Sequence, residues 1–166
     1  MELIPLLLSE MQEEAVTTKK MLERIPQDQL DFKPHEKSML MRYLATHIAE
    51  LPTWVSMALN SDGIDFDQNN FEPTEIKSTE ELMKIYEDSL ASGMETLKKA
   101  DESTFKQEWI MRKGDTILYK DDKYGVMRMA LCQIVHHRAQ LGVYLRLLNI
   151  PIPGSYGPSA DENQFN

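Results

Sequence analysis

Gln133, His137, Gln140 and Tyr144 recur at offsets of four, three and four residues in one run of the chain. An α-helix turns about 100° per residue, so residues at this spacing share a face. A face carrying an imidazole and two amides offers donor atoms to a divalent ion, and neutral imidazole is the commonest metal ligand among side chains. No Pro or Gly interrupts the stretch from Val126 to Ala139. Its other side chains, Met127, Ala130, Leu131, Ile134, Val135, Leu141, Val143 and Leu145, are expected to face a core. Polar groups on a core-bound helix need partners, because burying them unpaired costs free energy. Two readings follow from the spacing: the stripe lines a metal site, or it faces water as most polar stripes do.

A metal site inside a helical assembly takes ligands from facing helices. The chain has four histidines, His35, His47, His136 and His137. His136 and His137 are consecutive and diverge by about 100° on a regular helix, so only one can face a given ion. His137 belongs to the stripe, and His136 is expected at its edge. His35 follows Pro34 and is expected in a loop. His47 falls in a second helical stretch with Tyr43, Glu50 and Trp54 on neighbouring positions.

Four helical segments position these residues. The first is expected from Glu2 to Arg24, with Ile4, Leu7, Met11, Ala15, Thr18, Leu22 and Ile25 forming a seam that Pro26 ends. The second is expected from Ser38, as N-cap, to Leu59, kinked at Pro52, which removes a donor and clashes with the carbonyl of Ile48. The third begins at Ser78-Thr-Glu-Glu81, a capping box, and runs to Ala100. The fourth runs from Asp122 to Leu148 and stops before Pro151 and Pro153. Between the third and fourth, Phe105, Trp109 and Met111 alternate, Lys113-Gly-Asp115 turns, and Ile117 and Tyr119 follow, which predicts a small hairpin. In the acidic connection from Asn60 to Lys77, Asp65, Asp67 and Asn69 alternate as calcium ligands do. Asn70 and Ile76 stand where a calcium loop needs Gly and Glu, so it reads as a polar turn. The expected fold is all-α: an antiparallel four-helix bundle with one or two long crossover connections, built as one domain over residues 1–166.

Composition narrows the function. Apolar residues make up 42% and charged residues 27%, the balance of a soluble globular chain. A net charge of −9, from 18 basic and 27 acidic residues, argues against nucleic-acid binding, which needs cations to displace counterions from phosphate. The single Cys132 excludes an internal disulfide and suits a reducing compartment. It lies about 140° from His137 around a helix, away from the stripe. The start of the chain lacks a positive n-region, and no apolar run approaches the ~20 residues of a membrane span, so a cytoplasmic location is expected and no membrane partner.

Several segments together resemble the DinB family, the DinB/YfiT-like bacterial proteins. They are Pro34-His-Glu-Lys-Ser38-Met, Leu44-Ala-Thr-His47-Ile-Ala-Glu50-Leu, His136-His-Arg-Ala-Gln140-Leu, and the tail from Leu147 through Pro151, Pro153, Tyr156 and Pro158 to Asp161. The resemblance covers essentially the whole chain. It implies a divalent ion, nickel or zinc, held by three histidines, one from helix two and an i, i+4 pair from helix four. Carried over, His47 is the first ligand and His137 the last, and Gln133 stands at the remaining position. A glutamine oxygen is a harder and weaker donor than imidazole for these metals. Gln133 can ligate weakly, orient a water, or bond His137 directly in an empty site. Glu50 is a candidate general base or a group behind the ligands; its alternatives are a surface carboxylate or an ion pair with Arg138.

The resemblance also implies relatives that are transferases and isomerases using small thiols such as bacillithiol or mycothiol. The corresponding expectation is a metal-dependent enzyme, transferase-like or hydrolase-like, with Trp54, Trp109 and Tyr144 either as candidate walls of a substrate pocket or as ordinary core. The alternative is a non-catalytic stress-response protein with a degenerate site. Family members are implied to be homodimers in either case.

Overall fold

The computed structural model describes residues 2–68 and 74–163. Along the chain run α1 (Leu3–Leu22), α2 (Met41–Glu50), α3 (Thr53–Asn60), β1 (Gly63–Asp65), α4 (Thr79–Lys98), β2 (Glu108–Lys113), β3 (Thr116–Asp122) and α5 (Lys123–Leu147). Short 3-10 turns lie at Gln27–Gln29 and Glu102–Thr104. The architecture is α+β, with five α-helices and a three-stranded mixed sheet among the described residues. The all-α four-helix expectation is corrected on two counts, and each has a local cause.

The first count is Pro52. The expected kink is a break: α2 ends at Glu50 and α3 starts at Thr53. The backbone groups freed there find side-chain partners. Ser89 Oγ on α4 accepts from Thr53 N at 3.0 Å and donates to the Glu50 carbonyl at 3.2 Å. Thr53 Oγ1 donates to the same carbonyl. A helix broken at a proline is stable only where such groups are satisfied. α4 comes close enough to do this because residue 93 is glycine: a Cβ there would lie 2.5 Å from the Pro52 carbonyl oxygen.

The second count is β1. It pairs parallel to β2, Ile64 opposite Met111, and β2 pairs antiparallel to β3 around Gly114, whose φ of 55° only glycine adopts at little cost. The expected hairpin is present, and β1 adds to its free edge. Asp65 fastens the join. Its Oδ1 accepts from Gly114 N and Asp67 N, both at 3.0 Å, and its Oδ2 meets Arg112 Nε at 3.1 Å. The acidic alternation therefore serves the sheet; Asn69 and Asn70 lie outside the described residues.

The helix starts differ in how their first amides are satisfied. α4 has the expected cap, Ser78 Oγ accepting from Glu81 N at 3.1 Å, while Glu81 reaches back to Lys77 N at 2.7 Å. α2 does not start from Ser38. Met41 N and Arg42 N bond the carbonyls of Phe32 and Leu30 at 2.8 and 2.9 Å, so the preceding turn does the work of a cap. Apolar side chains then fill two clusters. One, around Leu22, Leu44, Ile48, Leu82 and Leu145, lies among α1, α2, α4 and α5. The other, around Leu7, Val55, Phe105, Trp109 and Met127, joins the sheet to α1, α3 and α5.

The backbone amides of Gly114 and Asp67, with Arg112, hold the Asp65 carboxyl below the ordinary carboxylate range. A carboxylate depressed in the fold stabilises it above the unfolded pKa, and that contribution is lost as pH falls through the folded value. Asp65→Asn is expected to lower thermal stability at pH 7, with the gap to the native chain closing below about pH 3.9. Melting curves across pH check this; a gap unchanged down to the acid limit would exclude the charged role of Asp65.

Candidate functional site

α2 and α5 run antiparallel along a seam in which Leu44, Ala45, Ile48, Leu141 and Leu145 are buried. At one end of the seam, Tyr144 donates to the carbonyl of Met39 just before α2. At the other end, His47 of α2 meets Gln133 and His137 of α5. All three are half-buried, at the edge of the core.

His47 Nε2 lies 3.2 Å from Gln133 Oε1. A carbonyl oxygen only accepts, so His47 carries its proton on Nε2 in this arrangement. The His137 ring stands edge-on to His47, centroids 4.7 Å apart at 77°. On the solvent side, His137 Nδ1 is 3.0 Å from Gln140 Oε1, and Gln140 Nε2 is 3.1 Å from His136 Nε2. Burial lowers the His137 pKa from its ordinary value, Gln140 opposes this, and the neighbouring His47 and His136 add to it. The imidazole is therefore neutral at pH 7, the form that can offer a lone pair to a metal. Among the described residues, no three or more of His, Cys, Asp and Glu are grouped to hold an ion.

The other residues singled out by sequence lie elsewhere or make other contacts. Glu50 accepts from Thr74 Oγ1 in the connection before α4. Trp109 is fully buried, its Nε1 donating to Ser61 Oγ at 3.1 Å, and half-buried Trp54 tilts against it with centroids 6.4 Å apart. Tyr144 is core, packed edge-on against Phe32. Val143, expected inside, is exposed. His35 is exposed and accepts from Lys37 N. Cys132 is an exposed free thiol. No helix is long and apolar enough to cross a membrane among the described residues.

The sequence profile of the DinB family matches residues 2–164. The chain belongs to the DinB family. Its fold is similar to a DinB-like protein of Bacillus subtilis, with TM-score 0.69 and 20% identity over 95% of this chain and 99% of that one. A DinB-like protein of Bacillus cereus gives TM-score 0.69 at 18% identity, covering 90% and 95%. A mycothiol-dependent maleylpyruvate isomerase shares the fold at TM-score 0.62 and 12% identity, over 84% of this chain and 60% of its own. No significant match is found among curated proteins.

Sequence reasoning missed the network around Arg138 in this DinB-family chain. Arg138 is 2% exposed and does not meet Glu50. Its Nη1 bonds Glu14 Oε2 at 2.6 Å and Thr18 Oγ1 at 3.0 Å on α1, and its Nη2 bonds Ser155 Oγ and Tyr156 Oη in the tail at 3.2 and 3.0 Å. Tyr156 Oη in turn donates to Glu14 Oε1 at 2.7 Å. The available signal was its place in the series Ile134, Arg138, Leu141, Leu145, where a core residue belongs. Breaking a buried pair strands the remaining charge, so Arg138→Ala is expected to cost about 3–5 kcal/mol. Tyr156→Phe, which deletes only a hydroxyl, should cost about 1 kcal/mol. Urea unfolding of both variants measures the difference, and equal small losses would mean the network carries no buried charge.

Proposed function

We propose that this DinB-family chain binds a divalent first-row ion, nickel or zinc, between α2 and α5 through His47, His137 and Gln133, and uses it as a cytoplasmic transferase-like or hydrolase-like enzyme. The observation that carries the reading is the 3.2 Å separation of His47 Nε2 and Gln133 Oε1, with the His137 ring beside them. Two donors each about 2.1 Å from a shared ion sit about 3.0–3.4 Å apart in octahedral or tetrahedral geometry. The pair fits such a shell, and the donor set, two imidazoles and an amide oxygen, suits a borderline divalent metal held weakly.

A bound ion would supply Lewis acidity, lowering the pKa of a small-molecule thiol or a water. The chain's own residues do the rest. His137, kept neutral by half-burial, presents a lone pair. His47 must move its proton from Nε2 to Nδ1 to ligate, giving up its bond to Gln133. Glu50, one turn beyond His47, is the nearest carboxylate on α2 for proton transfer and would have to leave Thr74 to act. A thiol co-substrate is favoured because the fold is shared with a mycothiol-dependent isomerase.

A second reading rests on the same hydrogen bond. His47 and Gln133 satisfy each other without an ion, as in a site that has lost its metal. The protein would then be a non-catalytic stress-response homodimer, with the exposed Val143 and Leu147 of α5 in its interface.

Metal content of untagged protein and nickel titration separate the two. The enzyme reading expects uptake near one ion per chain, abolished in His47→Ala and His137→Ala, and tightened about tenfold or more in Gln133→His because imidazole is the stronger donor. Both alanine variants should fold. The seam's buried Leu and Ile side chains contribute about 1.5–3 kcal/mol each, against about 1 kcal/mol for the hydrogen bond removed. Unchanged metal content in both alanine variants, or a Gln133→His protein that rejects nickel, would remove the metal reading and leave the second.

A further inference from the structure

We infer that Gln140 is a positioning residue for the ion-binding face of His137, an inference that rests on the metal reading of that histidine. Gln140 is exposed and outside the set of proposed ligands, yet both ends of its amide are engaged. Its Oε1 faces His137 Nδ1 at 3.0 Å, and its Nε2 faces His136 Nε2 at 3.1 Å. An amide oxygen only accepts and an amide nitrogen only donates. His137 therefore carries its proton on Nδ1, and His136 accepts on Nε2 and carries its own proton on Nδ1.

The consequence for the site is directional. With the proton fixed on Nδ1, His137 Nε2 keeps the bare lone pair that a metal requires. Ligating histidines generally donate their other ring N–H to an acceptor that fixes tautomer and ring orientation. Gln140 is that acceptor here, three residues along the same helix. His136 has the complementary task. Turning the amide over would exchange its donor and acceptor ends and reverse both tautomers. A single amide thus couples an exposed histidine to the half-buried one; the two side chains leave the helix about 100° apart, yet their rings meet edge-on with centroids 4.9 Å apart.

The test reads the tautomer directly in metal-free protein. Nitrogen-15 imidazole correlation spectra are recorded for the native chain, Gln140→Leu and Gln140→Glu, and each protein is titrated with nickel by calorimetry. The native chain is expected to show His137 protonated on Nδ1. Gln140→Leu is expected to lose that preference and bind nickel about 10–100-fold more weakly. Gln140→Glu, which keeps the acceptor, is expected to restore both. A native His137 protonated on Nε2, or the same tautomer in Gln140→Leu, overturns the inference whatever the nickel affinity. A tautomer that shifts in Gln140→Leu while the native chain takes up no nickel leaves the positioning role standing and removes the metal reading instead. Gln140 is on the surface, so circular dichroism should show the fold intact in both variants.

Discussion

The missing amide hydrogen of Pro52 is the constraint around which the helices are arranged. A helix running from Met41 to Asn60 cannot pass through it without losing a bond and colliding with the carbonyl one turn earlier. The chain breaks instead, and Ser89 of α4 takes over the freed groups of Glu50 and Thr53. That requires α4 to lie against the break, which Gly93 permits and any larger residue would oppose. The break also aims α3 separately from α2. Val55 and Ala58 join the cluster around Trp109 and the sheet, while Leu44 and Ile48 stay in the seam with α5. His47 ends up in the last turn of α2, where the helix meets the edge of the core.

The parts of this arrangement written in local periodicity were legible. The α1 seam of Leu7, Met11, Thr18 and Leu22 is buried as its spacing requires. The Ser78 cap and the 108–122 hairpin follow from short-range chemistry. The corrected parts depend on partners distant in sequence. Whether Pro52 kinks or breaks the helix is decided by Ser89, thirty-seven residues on. β1 is three residues long, too short to show a period, and its pairing partner lies beyond α4.

The candidate site divides in the same way. Gln133 and His137 sit one turn apart on α5, and the family resemblance supplied His47 opposite them. Tyr144 shares their angular position on the helix yet joins the core. Along that stripe Gln133 and His137 are half-buried, Gln140 is exposed and Tyr144 is buried, so angular position on α5 does not by itself fix depth. The sequence offered Arg138 only as an ion-pair alternative for Glu50. The burial of Arg138 depends on Glu14 and Tyr156, which arrive from opposite ends of the chain. The polar cluster itself is peripheral to the packing that holds α2 to α5, so its residues can vary without endangering the fold.

His137 and Arg138 are neighbours in sequence with unrelated surroundings, one beside α2 and the other locked to α1 and the tail. Their side chains leave α5 about 100° apart. The ion network at Arg138 therefore holds α5 from one side, as a key holds a shaft, while Ile134, Leu141 and Leu145 hold it by packing. A turn of a few degrees that loosened Tyr156 or Glu14 would swing the imidazole by the same angle. A change at Ser155 or Tyr156 that turned α5 would therefore move the histidine face without touching it.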